Sequence, residues 1–221
     1  MINAEIISNN IATKIALELN LDDDRKEVIA YGTFAFFQTI FSIFLIFAFG
    51  YIFNVQIEAL MISFTISILR KFSGGAHATS PNNCAIIGTV ICVGFAKIVM
   101  LLASLLTKLN IILVLGGIIF LCSYYIVYKL APVDSKAKPI MKLKKIKNLK
   151  KKSILTLNIY AVIILINFVL YYKVGYEKFI IYSLCIYIGV LWQTFTLTQY
   201  GNLVVKKLDN ILNYVYILRR H

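Results

Sequence analysis

Apolar and polar positions follow one another along this chain in long blocks. Apolar runs occupy residues 28–53, 57–69, 84–106, 110–130, 154–172 and 179–199. A helix needs about 20 predominantly apolar residues to cross the hydrocarbon core of a bilayer, and most of these runs approach or exceed that length. The pattern predicts an all-α polytopic membrane protein with about six transmembrane or re-entrant helices, forming one membrane domain over residues 1–221. The run 57–69 is the shortest and carries Glu58 near its start, so both a full crossing and a re-entrant segment are open for it. Lys97 interrupts the third run and must snorkel, find a partner or face a polar cavity.

Outside the runs the period changes. In the N-terminal segment 1–27, Ala4, Ile7, Ile11, Ala12, Ile15, Ala16 and Leu19 recur at helical spacing, with Asn10, Thr13, Lys14 and Glu18 away from that stripe. This predicts an amphipathic helix over 3–20. The run Asp22-Asp23-Asp24-Arg25-Lys26-Glu27 then marks an aqueous boundary. The segment lacks the continuous apolar core of a signal peptide. In the C-terminal tail 200–221, Val204, Leu208, Ile211, Leu212, Val215 and Leu218 form a second stripe, which predicts another amphipathic helix packed on the membrane or on the domain.

Composition sharpens this picture. The chain is 60% hydrophobic, far above what a soluble domain of this size carries, and its net charge is +13. The excess sits mainly in one place, since residues 129–152 hold ten lysines and a single acid, Asp134. Beside membrane helices such a cluster marks a cytoplasmic loop, here 131–152, facing anionic lipid rather than nucleic acid. The same field would attract an acidic peptide. Six crossings counted from that loop place both termini and the segment 70–83 in the cytoplasm.

The candidate chemistry lies in 70–83 and the residue after it. The stretch Arg70-Lys71-Phe72-Ser73-Gly74-Gly75-Ala76-His77-Ala78-Thr79-Ser80-Pro81-Asn82-Asn83-Cys84 is polar and lies between apolar runs. His77 is one of two histidines, the other being His221. Of the four cysteines, Cys92, Cys122 and Cys185 lie inside apolar runs, and no spacing suggests a metal site. Gly74-Gly75 permits a tight turn. Ser80-Pro81 reads as a helix start, which puts Cys84 within about one turn of a helix N-terminus, where amides and the helix dipole favour a thiolate and a developing oxyanion. His77 can take the thiol proton and return it to a leaving amine.

This pattern, Arg70-Lys71, Ser73-Gly74-Gly75, His77-Ala78 and then Cys84, resembles the signature of the accessory gene regulator B family, the membrane endopeptidases that mature quorum-sensing peptides. Ala131-Pro132-Val133-Asp134 followed by Lys138-Pro139 resembles the family's second signature, with Ala137 where an asparagine is expected. Thr196-Leu197-Thr198 resembles a third. The resemblance implies that Cys84 and His77 are catalytic, that the protein is a homodimer in a bacterial cell membrane, and that it uses no metal or organic cofactor. It implies a signal-peptide precursor with an amphipathic leader and an acidic tail. Cleavage would release the tail, leave the signal segment as an acyl-thioester on Cys84 and promote closure of a thiolactone or lactone.

Other residues keep two readings. Arg70 and Lys71 either anchor the end of a short helix or bind a carboxylate near the scissile bond. Asp134 either caps a helix or orients His77. Gln193 and Gln199 are candidate donors to substrate, and Ser73 reads as a turn residue. The rival function is a small ion-coupled transporter or export scaffold built on Lys97 and Glu58.

Overall fold

A computed structural model describes residues 4–105, 109–133 and 143–218. Every regular element among them is a helix: α1 (Ala4–Glu18), α2 (Asp23–Ile52), α3 (Gln56–Ser73), α4 (Pro81–Leu105), α5 (Leu109–Leu130), α6 (Leu143–Val174), α7 (Lys178–Phe195) and α8 (Gln199–Leu218). The chain falls into two units, Met1–Leu45 and Ile46–His221.

In the first unit, local chemistry sets the break between helices. Asn20 takes a positive φ of 48° just past α1, a conformation asparagine tolerates better than most residues. Asp22 then caps α2, with the Arg25 amide donating to its Oδ1 at 2.9 Å. Asp23 and Asp24 follow in the first turn, where the helix dipole favours acids. The residues α1 buries are Ser8, Ala12 and Ala16, a row one step out of phase with most of the apolar stripe.

In the second unit, α3 and α7 pair at the centre, with α4 and α6 beside both, α5 beside α6 and α7, and α8 against α4. A Cβ built at Gly189 of α7 would lie 2.8 Å from the Thr65 side chain of α3, so only glycine lets the two helices approach this closely. The Tyr160 hydroxyl of α6 donates to the Thr65 carbonyl at 2.9 Å. Ile62, Leu69, Val99, Leu157 and Val190 fill the core between these helices.

Among the described residues, five helices are long and apolar enough to cross a membrane: α2, α4, α5, α6 and α7. The sixth predicted run is α3. It carries Glu58, Arg70 and Lys71 within its 18 residues, and at 1.5 Å per residue it is about 27 Å long. It is one unbroken helix, and it is not among the helices apolar enough to cross. The lysine-rich stretch differs from expectation in another way. Residues from Leu143 onward are the first turns of α6 and not loop, consistent with lysine's good helix propensity.

Candidate functional site

α3 continues through Ser73 and α4 starts at Pro81, so the turn bearing His77 is 74–80, shorter than the predicted 70–83. Its first part is held from inside the bundle. Gly74 has φ 69° and Gly75 φ 137°, both strained for any residue with a side chain. A Cβ at Gly74 would stand 2.1 Å from the Val133 carbonyl oxygen, and one at Gly75 2.9 Å from Thr196 Oγ1. The Val133 amide donates to the Ser73 carbonyl at 2.9 Å, and Ala76 N–H donates to the Thr196 carbonyl at 3.2 Å. Gln193 is fully buried and its Nε2 donates to Ser73 Oγ at 3.0 Å and to the Gly74 carbonyl at 2.7 Å. The Arg70 guanidinium closes this part by donating through Nη2 to the Ala76 carbonyl.

The later part of the turn is held by α8. The Thr79 amide donates to Asp209 Oδ2 at 2.9 Å. Asn83 Nδ2 donates to Asp209 Oδ1 at 2.7 Å and to Asn213 Oδ1 at 2.8 Å. Ser80 caps α4 as predicted, its Oγ accepting from the Asn83 amide at 3.1 Å. Asp209 is 2% exposed. Burial raises its pKa, but the bonds from Asn83 and Thr79 outweigh that and hold it below the usual carboxylate range.

Between these anchors the two candidate catalytic groups take different settings. Cys84 is half-buried in the first turn of α4. Its own amide already donates to the Ser80 carbonyl at 3.0 Å, and the Asn83 amide is spent on the cap, so these two amides are not the oxyanion donors the sequence suggested. His77 is exposed. Partial burial and then the charge of Arg70 push its pKa down to about 4, and solvent at an exposed side chain relieves part of that depression, so the imidazole is mainly neutral at pH 7. Arg70 interacts electrostatically with Cys84 as well as with His77, and its buried Nε has no hydrogen-bond partner.

The other predicted site residues separate from this group. Lys71 is exposed, with its ammonium 5.8 Å from the Phe72 ring centre. Asp134 and Lys138-Pro139 lie outside the described residues. Gln193 is a clamp on the turn and has no amide hydrogen directed at a substrate, while Gln199 is exposed at the start of α8. Glu58 stands in the first turn of α3, at the far end of that helix from the site, and Lys97 is exposed on α4.

Sequence reasoning missed Asp209, Asn213, Thr79 and Asn83. The one available signal was that Asp209 is the only acid after Glu177. It shares a helical row with the buried Gly201 and Val205.

The comparisons with known proteins bear on the whole chain. The family model described as accessory gene regulator B matches residues 8–197. An AgrB-like protein of Clostridium perfringens (strain SM101 / Type A) is 45% identical over 213 residues, covering 95% of this chain and 98% of the relative. AgrB-like protein 2 of C. perfringens (strain 13 / Type A) matches to the same extent. Accessory gene regulator protein B of Staphylococcus intermedius is 31% identical over 144 residues, covering 65% of this chain and 66% of its own length. No solved structure matches significantly. A motif-bearing turn held at the helix ends, five membrane-length apolar helices and end-to-end similarity to these relatives agree: the chain belongs to the accessory gene regulator B family of quorum-sensing membrane proteins.

Proposed function

We propose that this protein is a membrane cysteine endopeptidase that removes the acidic tail of a quorum-sensing propeptide. The observation that carries the reading is the placing of a neutral imidazole, a thiol and a buried guanidinium around one doubly anchored turn. Neutral His77 takes the Cys84 proton. The thiolate attacks the scissile carbonyl, and Arg70 supplies positive charge to the thiolate and to the oxyanion that follows. The C–N bond breaks as His77-H⁺ gives its proton to the departing amine. The signal segment remains as an acyl-thioester on Cys84. A thiol or hydroxyl within that segment then displaces Cys84 and closes a thiolactone or lactone, since an internal nucleophile has a large advantage over water.

Orientation and partners belong to the same proposal. The lysine-rich start of α6 stands at the same end of the bundle as the turn: Lys152 Nζ lies 5.8 Å from the Phe72 ring centre, and Lys150 Nζ lies 4.2 Å from that of Tyr128. Positive flanks mark the cytoplasmic side, which supports a cytoplasmic turn, beside anionic lipid and an incoming acidic tail. A precursor with an amphipathic leader would reach this end along the interface. The working unit is a homodimer.

The test is mass spectrometry of a candidate precursor incubated with purified wild-type, Cys84→Ala and His77→Ala protein. Wild type should release the acidic tail, and neither variant should, because losing one member of a catalytic unit removes most of its rate. Full cleavage by Cys84→Ala would sink the proposal.

A further inference from the structure

His77 and Cys84 reside on opposite sides of Ser80-Pro81, and a single carboxylate grips the chain on both sides of that pair. Asp209 Oδ2 takes the Thr79 amide, two residues after His77, and Oδ1 takes the side chain of Asn83, the residue before Cys84. We propose that Asp209 is a positioning residue that sets the separation and aim of His77 and Cys84, acting through Thr79 and Asn83. The inference rests on the peptidase reading above.

Several observations on α8 support it. A buried carboxylate is tolerated only when its oxygens are hydrogen-bonded, and both oxygens of Asp209 have donors at 2.7–2.9 Å. Asn213, one turn further along α8, adds an acceptor for Asn83 and donates to Thr79 Oγ1 at 3.4 Å. Two successive turns of α8 therefore reach the same two residues of the site. The apolar stripe of α8 does not make this contact. The buried row is Gly201, Val205 and Asp209, while Val204 and Ile211 are exposed. An acid placed on the inward row, where an aliphatic side chain would be expected, is explained by its grip on the turn. The family model ends at residue 197, so this grip comes from a helix beyond the matched segment. The C. perfringens relatives extend over 95% of the chain.

The test uses the full chain in detergent or vesicles. In Asp209→Asn the amide presents one acceptor and one donor to two donors, so one of the two bonds becomes a donor–donor contact. The kcat for precursor cleavage should fall by about a hundredfold, as expected when reacting groups are displaced by about 1 Å, with KM within about twofold of wild type. The exchange Asn83→Asp with Asp209→Asn restores an acceptor opposite each donor between these two positions and Thr79, with the Asn213 amide turned over to donate to position 83, and should recover at least about tenfold of the loss over Asn83→Asp alone. Val205→Ala loosens the packing of α8 without touching these bonds and should leave kcat within about threefold of wild type.

An equal loss in Val205→Ala would make Asp209 merely a docking point for α8 and overturn the inference. So would an unchanged kcat in Asp209→Asn. If Asp209→Asn does not fold, the comparison of the exchanged pair with Asn83→Asp decides, and no recovery overturns the inference. Cys84→Ala run in parallel separates the two levels. A fully active Cys84→Ala removes the peptidase reading itself, while an inactive Cys84→Ala with a fully active Asp209→Asn removes only the positioning role.

Discussion

The two ends of the His77 turn are held by opposite kinds of force. At Gly74-Gly75 the restraint is steric and made of backbone, with Val133 and Thr196 packed where any Cβ would go. At Thr79–Asn83 the restraint is a set of hydrogen bonds to one carboxylate and one amide from α8. The first can only be kept or broken. The second can be weakened or rewired, because side-chain donors and acceptors can be exchanged. The turn thus combines a fixed hinge with an adjustable stay, and His77 stands between them.

The sharpest way to break the comparison is at its fixed end. Gly74→Ala adds a methyl 2.1 Å from a carbonyl oxygen in a backbone conformation that only glycine adopts readily. Cleavage should fall below about a hundredth of wild type, more than for any single change in α8. Assay of membranes with matched amounts of folded protein checks this. Activity near wild type in Gly74→Ala would mean that the turn rearranges freely, and the contrast between its ends would disappear.

Arg70 allows a subtler test, since it closes the fixed end and also lowers the pKa of His77. The base must be neutral to act, so activity present above its pKa is lost as pH falls through that value. In wild type that limb lies far below the ordinary histidine value of 6.5, His77 being pushed down to about 4. Arg70→Gln removes the repelling charge and should move the acid limb of kcat/KM upward by the smaller part of the depression, the burial that causes the rest still holding it below 6.5, alongside a fall in rate. An acid limb that stays in place would show that the guanidinium does not act on the imidazole.

The lysines of α6 give the smallest effect. Replacing Lys144, Lys145 and Lys147 by glutamine leaves both anchors intact. KM should rise by about threefold to tenfold, kcat should hardly change, and much of the salt sensitivity should vanish, because long-range attraction gathers an acidic partner without touching the bond that breaks. A large fall in kcat at constant KM would bring these lysines into the site.

The local chemistry of both ends was legible in the sequence, and the long-range contacts that hold them, from Gln193 as well as from Asp209, were not. Six apolar runs mark α2 to α7 because membrane helices declare themselves by length, and Gly74-Gly75 and Ser80-Pro81 mark turn and cap because backbone chemistry is local. The bonds from Asp209 to Thr79 and Asn83 join residues 126 to 130 positions apart, and no local pattern encodes such a pairing. The stripe on α8 even pointed the wrong way. Hydrophobic periodicity finds the core face of a soluble helix, but beside a membrane apolar side chains can face lipid as readily as protein. The buried row of α8 is accordingly displaced from the stripe by about one residue, or 100° around the helix. Lysine content predicted charge correctly at 143–152 and conformation incorrectly, since a run of lysines is as compatible with a helix as with a loop.

The contact between Gly189 and Thr65 has a mechanical consequence. α3 and α7 run side by side towards the site, one ending in Arg70, Ser73 and Gly74 and the other in Gln193 and Thr196. Thr65 is eight residues from Ser73, about 12 Å along the helix. The two helices therefore meet closely about 12 Å from the turn that both of them hold. A larger side chain in place of Gly189 is expected to spread them at that contact and so to shift the ends that hold the turn, at a distance from His77 and Cys84.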